Sequence, residues 1–215
     1  MSPTQWAKIY LDVIAQLDLQ DWICGGHCSG GLYALELAKL SGPSCKGVLL
    51  VDTGAPLKTA AMIYQMPQAP RRLFLAARFF PVVLTTPFNL VRKDFYSGPD
   101  GERRAVDYFF DGSPTDEALL TTPTYWRIVR DNFDYLMQNH LQAARDVVAW
   151  SRDTTQLLSA VAKQTPIHFF HGEDNFVQQA DNLRASCALY SNATCTIIPA
   201  RAQMLIYVEP EMFAQ

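Results

Sequence analysis

Cys28 stands at the centre of Gly26-His27-Cys28-Ser29-Gly30, a small-x-nucleophile-x-small sequence. An apolar run, Trp22-Ile23-Cys24, precedes it, and a helical pattern over 32–40 follows. Between a strand and a helix such a sequence makes a nucleophile elbow, a turn sharp enough that the residues two before and two after its centre must be small. Gly26 and Gly30 meet that requirement around Cys28. Around Ser29 it fails, because His27 would occupy a small-residue site. The chemistry implied is attack by sulfur on a carbonyl carbon. Thiols at helix N-termini have lowered pKa values and can act without a neighbouring base. The amide of Ser29 is the backbone donor an elbow offers to the developing oxyanion.

Candidate partners for that thiol are few. His27 is its neighbour in the chain, and neighbours at an elbow point apart. His168 alternates within a strand pattern and reads as packed, and His171 reads as structural. His140 lies on an apolar helical stripe and is the histidine to test as a substitute base. Asp174 and Asn175 close a strand at its carboxyl end, where ligands bind in open α/β sheets. Side-chain hydrogen bonds to a turn are the alternative role for both.

The elements that must position these residues alternate. Trp6, Ile9, Tyr10, Val13, Ile14 and Leu17 fall at helical spacing, with Thr4 as N-cap. After the elbow, Ser41-Gly42-Pro43 stops the helix, and Gly47 to Val51 is a continuous apolar run expected of a parallel strand buried on both faces. Asp52-Thr53-Gly54 ends that run. From 56 to 162 the patterns are helical and rich in aromatics, with Phe79, Phe80 and Phe88 expected in a core. Strands return at 167–170 and 194–198, with a helix between them over 177–190, and a last helix is expected from about Glu209-Pro210. Alternation of this kind implies a parallel sheet with helices on its faces.

An elbow on such a sheet resembles the α/β-hydrolase fold family. Gly26 to Gly31 is similar to its G-H-S-x-G-G motif, with cysteine in place of serine. Pro166 to Val177 resembles its apolar strand that ends in H-G with an acid three positions on. Ala200 to Phe213 resembles its terminal G-x-G-H segment followed by P-x-x-F. The resemblance implies a C-terminal half of an α/β-hydrolase core with a helical cap insertion: core over 1–56 and 163–215, cap over 57–162. It implies a carboxylic-ester, thioester or lactone hydrolase by descent, with Cys28 as nucleophile, Asp174 as residual acid, Ser29 in the oxyanion hole, and His27, Asn175 and Gln203 in the pocket. The family's histidine falls at Gln203, which cannot accept and return a proton near neutral pH. Three residues from Gly172 stands Asn175, one after Asp174, and Asp52 ends another strand where some relatives place their acid. The alternative is an inactive hydrolase-like module that binds a ligand or a partner. The family's strands before the elbow have no counterpart here, so a fragment of a longer protein is a third reading, and the elbow strand becomes an exposed edge prone to self-association.

Composition narrows the classes. A length of 215 residues with 49% hydrophobic content is enough for a substantial core. A net charge of −3 implies no basic face for nucleic acid. The five cysteines show no CxxC pair and no metal-ligand spacing, which reads as a reducing, cytoplasmic setting. No metal or cofactor is expected. The longest apolar stretch, 73–91, is broken by Arg78, Pro81 and Pro87, so no membrane span is expected. The expected ligand is a small apolar or acyl compound.

Overall fold

The computed structural model describes residues 1–110 and 112–208. The chain begins with α1 (Pro3–Gln16), β1 (Trp22–His27), α2 (Gly30–Ser41) and β2 (Cys45–Val51). Helices follow: α3 (Ala60–Tyr64), α4 (Gln68–Phe79), α5 (Thr85–Phe95), α6 (Pro99–Phe110), α7 (Pro114–Leu119), α8 (Pro123–Gln138) and α9 (His140–Trp150). The last elements are α10 (Thr155–Ala162), β3 (Ile167–Gly172), α11 (Ala180–Cys187), β4 (Ala193–Ile198) and α12 (Leu205–Val208). The helix expected from Glu209 lies outside the described residues.

The chain divides into two compact units, Met1–Lys58 with Asp153–Gln215, and Thr59–Arg152. The first holds a four-stranded sheet in the order β1-β2-β3-β4, with every neighbouring pair parallel. This is the α/β architecture that the alternation implies. The strands are in register at their carboxyl ends: His27 lies opposite Val51, and Val51 opposite Phe170. Cys28 N–H donates to Val51 O at 2.9 Å and Asp52 N–H to Phe170 O at 2.9 Å, so each ladder runs one residue past its strand. Cys28, Asp52 and Glu173 therefore leave the sheet along its carboxyl end.

Ala34, Leu35 and Ala38 of α2 pack with Val48 and Leu50 of β2, Ile167 and Phe169 of β3, and Leu158, Val161 and Ala162 of α10. α10 thus belongs to the sheet unit, ten residues before the boundary expected at 162–163. Its apolar face is buried against α2, and a cap helix would not share that core. The N-cap of α1 also differs from expectation. Ser2, not Thr4, caps it: Ser2 Oγ accepts from Gln5 N at 3.2 Å, and Gln5 Oε1 accepts from Ser2 N at 2.9 Å. That reciprocal pair is a capping box, with Pro3 in the first turn.

The second unit is helical. Ala77, Leu84, Phe88, Ala143 and Ala144 form one of its cores, with Phe109, Leu136 and Val147 against them. Val129, Phe133 and Met137 of α8 are buried at four-residue spacing. Phe88 is buried as expected, but Phe79 and Phe80 are 55% and 65% exposed, because α4 ends at Phe79 and its buried stripe runs through Phe74 and Ala77. Among the described residues no helix is long and apolar enough to cross a membrane.

Candidate functional site

The turn between β1 and α2 is an elbow in its backbone. Cys28 adopts φ +54°, the left-handed region that a side chain rarely takes. Its neighbours explain how the chain tolerates this. A Cβ on Gly26 would collide with the carbonyl of Gly30 and with Gly31 N, and a Cβ on Gly31 would collide with the Thr53 side chain. Gly30 departs from the expected pattern: a Cβ there meets nothing within 4 Å. Its backbone crowds Gly26, while the close approach to the β2 loop falls one residue later. Cys28 is half-buried, and Ser29 at φ −61° and ψ −21° is the N-cap of α2.

Beyond the elbow, a buried polar cluster joins three loops of the same sheet edge. Asp52, also left-handed at φ +49°, is buried. Its Oδ1 accepts from Gly172 N at 3.0 Å and from Asn175 Nδ2 at 3.2 Å. Asn175 Nδ2 donates equally to Gln203 Oε1 at 2.8 Å, while Asn175 Oδ1 accepts from Val177 N at 3.0 Å and Gln178 N at 3.1 Å. Gln203 Nε2 donates to Asp52 O at 3.5 Å. Gln203 O lies 3.1 Å from His27 Nε2, which is its donor. Residues 52, 175 and 203, far apart in the chain, thus form one hydrogen-bonded group.

Asp174 is exposed, and its own amide donates to Arg201 O at 2.9 Å. Asn175 therefore fills the position that faces Gln203. Neither amide of this pair titrates near neutral pH.

The histidines divide by environment. Burial holds His27 below the ordinary imidazole range, partly offset by its bond to Gln203 O. Burial lowers His171 as well, despite its 2.9 Å bond to Gln178 O. The other ring nitrogen of His171, Nδ1, lies 3.6 Å from Asp52 Oδ1. His168 lies between Thr194 Oγ1 at 2.7 Å and Thr196 Oγ1 at 2.9 Å. His140 begins α9, with Nδ1 3.2 Å from Met137 O.

Sequence reasoning passed over two members of this region. Tyr207 packs edge-on against His27 with ring centroids 5.7 Å apart, and burial followed by the charge of Cys28 pushes its phenol up. Its signal was its place one helical turn after Gln203. The second is the approach of His171 to Asp52, for which no spacing in the sequence gives a cue.

Comparison with known proteins agrees with this geometry. Residues 2–215 match the model of the alpha/beta hydrolase family. No curated protein sequence matches. Among solved structures, an N-acyl homoserine lactone degrading enzyme, Est816, is 18% identical with a TM-score of 0.64, over 99% of this chain and 72% of that one. A hydrolase from Pseudomonas aeruginosa PA01 is 17% identical with a TM-score of 0.62, over 96% of this chain and 67% of that one. Naproxen esterase from Bacillus subtilis is 16% identical with a TM-score of 0.56, over 99% of this chain and 64% of that one. With its elbow, its parallel sheet and a match across nearly its whole length, the chain belongs to the alpha/beta hydrolase family.

Proposed function

We infer that this chain carries a thiol-based acyl-transfer site for an apolar ester, thioester or lactone. The observation that carries this reading is the left-handed backbone of Cys28 between β1 and α2. That conformation holds the side chain of an elbow nucleophile clear of the turn. In the reaction, Cys28 Sγ attacks the carbonyl carbon and the Ser29 amide donates to the oxyanion. Cys28 attacks as the thiolate, its proton given to water; the acyl carbon–oxygen bond of an ester or lactone, or the carbon–sulfur bond of a thioester, then breaks, and the leaving alkoxide or thiolate (tethered to the acyl chain in a lactone) takes a proton back from water. An acyl-thioenzyme remains.

Hydrolysis of that intermediate needs a base to activate water. The Asn175–Gln203 pair offers none, so acylation outpaces turnover. The neighbours described as esterases and as a lactone-degrading enzyme support the substrate class by analogy of fold.

The test is a burst experiment with p-nitrophenyl acetate. The expected result is one equivalent of nitrophenolate released rapidly, slow turnover after it, and an acetyl mass on the Cys28 peptide. Cys28→Ala removes both phases. The amide pair favours a second reading, a binding module that has lost catalysis. Absence of any acyl adduct across esters, thioesters and lactones, with ligand binding retained, would establish that reading instead.

A further inference from the structure

The cysteines show no CxxC spacing, yet four of them meet in pairs. The thiol of Cys187 on α11 faces that of Cys195 on β4. At the β1 end of the same core, Cys24 Sγ of β1 and Cys45 Sγ of β2 are 3.8 Å apart. Cys24 Sγ also donates to Ala34 O at 3.4 Å, and Cys45 Sγ lies 3.4 Å from Gly47 O. Cys45 is buried and Cys24 half-buried, so a small neutral reagent has a path to the pair through Cys24.

Local geometry leaves room for the two sulfurs to close. Trp22 pairs with Cys45 but Ile23 pairs with Gly47, so the register shifts at this point and Lys46 is passed over. A bulged register loosens the ladder where the thiols meet. Moving from 3.8 Å to the ~2.05 Å of a disulfide needs side-chain rotation and a small strand adjustment. A link across such a site is strained and readily reduced. The hydrogen bond between the two thiols pushes Cys24 up and holds Cys45 down, to about 7, so Cys45 is the member of the pair that supplies the thiolate.

We propose that Cys24 and Cys45 form an oxidisable dithiol, closed to a disulfide by a hydroperoxide, that ties the strand leading into the Cys28 turn to its neighbour. The steps balance. One thiol reduces hydrogen peroxide to water and becomes a sulfenic acid. The second thiol attacks that sulfur, forms the sulfur–sulfur bond and releases a second water. Two thiols lose two hydrogens, and a dithiol reductant restores them. The proposal is independent of any reaction at Cys28.

The test is peptide mapping of the folded protein after hydrogen peroxide. Trypsin cuts after Lys8, Lys39 and Lys46, which leaves Cys24 and Cys28 on one peptide. The experiment is therefore run on wild type and on Cys28→Ala. Both should lose two alkylatable thiols and gain a link between peptides 9–39 and 40–46, which dithiothreitol reverses. Cys24→Ser should abolish the link, and Cys45→Ser likewise. A link in wild type that is lost in Cys28→Ala would overturn the proposal. So would a link confined to Cys187 and Cys195, or one that forms only in urea.

Discussion

Replacing Gln203 by histidine restores the residue type a base requires, and the geometry says that this change alone accomplishes little. Asn175 Oδ1 is already occupied by Val177 N at 3.0 Å and Gln178 N at 3.1 Å, so the group it turns to Gln203 is its Nδ2 donor, at 2.8 Å. An imidazole at 203 would accept that hydrogen on its near nitrogen and carry its own proton on the far one. That is the wrong tautomer for a base, and in a serine-protease triad wrong tautomery costs ~10⁴ in rate. Gln203→His is therefore expected to change kcat/KM for p-nitrophenyl acetate by less than ~10-fold. Adding Asn175→Asp supplies an acceptor, but it sets a carboxylate where Nδ2 now lies 3.2 Å from Asp52 Oδ1. Two carboxylates at that distance share a proton. Adding Asp52→Asn removes the second charge: because one oxygen, Oδ1, meets both Gly172 N and residue 175, the new amide turns its nitrogen to the carboxylate at 175 and gives up the bond from Gly172 N. The triple variant is expected to gain ~10²–10⁴ in kcat/KM, the worth of a positioned general base. Steady-state rates beside circular-dichroism melts check this. A full gain from Gln203→His alone, or none from a folded triple variant, would refute the reasoning.

Other consequences are equally open to measurement. Gly26→Ala places a methyl against the Gly30 carbonyl and should destabilise by about 2–4 kcal/mol in urea unfolding, whereas Gly30→Ala meets open space and should stay within about 1 kcal/mol of wild type. Equal losses in both would contradict this account of the elbow. His27, His168 and His171 all titrate below the reference 6.5 because burial disfavours their charged forms. The unfolded chain then binds more protons below about 6.5, so the stability these groups contribute is present above that value and falls as pH drops. Melting temperatures that rise on acidification from pH 7 to 5 would count against it. β1 ends the sheet, with Ile23 70% exposed and Leu17, at the C-cap of α1, 63% exposed. Concentration-dependent self-association in sedimentation velocity is expected, and a strict monomer at all concentrations would exclude it.

Much of this was legible because local chemistry announces itself. Gly26 and Cys28 mark a turn that few other residues could occupy, and the apolar run over 47–51 is what a strand with two covered faces needs. Other features depend on contacts the sequence does not carry. That Gly31 rather than Gly30 must lack a side chain follows from Thr53, which arrives from the next strand. That Asn175 rather than Asp174 faces Gln203 follows from which side chain the turn after β3 directs inward. Phe79 and Phe80 read as core on hydrophobicity alone, and the end of α4 leaves both in solvent. The meeting of Cys24 with Cys45 depends on a one-residue irregularity in strand pairing that periodicity cannot reveal.

The insertion of the helical unit has a consequence for the order in which the protein is completed. β2 pairs with β3 at Val48 and Ile167, and everything between Thr59 and Arg152 belongs to the other unit. Ribosomes make the elbow early, but the strand and helix that cover β2 come more than a hundred residues later. Contacts this far apart in sequence form slowly, because a long loop must close before any gain arrives. The helical unit carries all its own contacts within one continuous stretch and can form as soon as it emerges. During synthesis the turn after β1 therefore waits for β3, and chaperones would meet the chain in that interval.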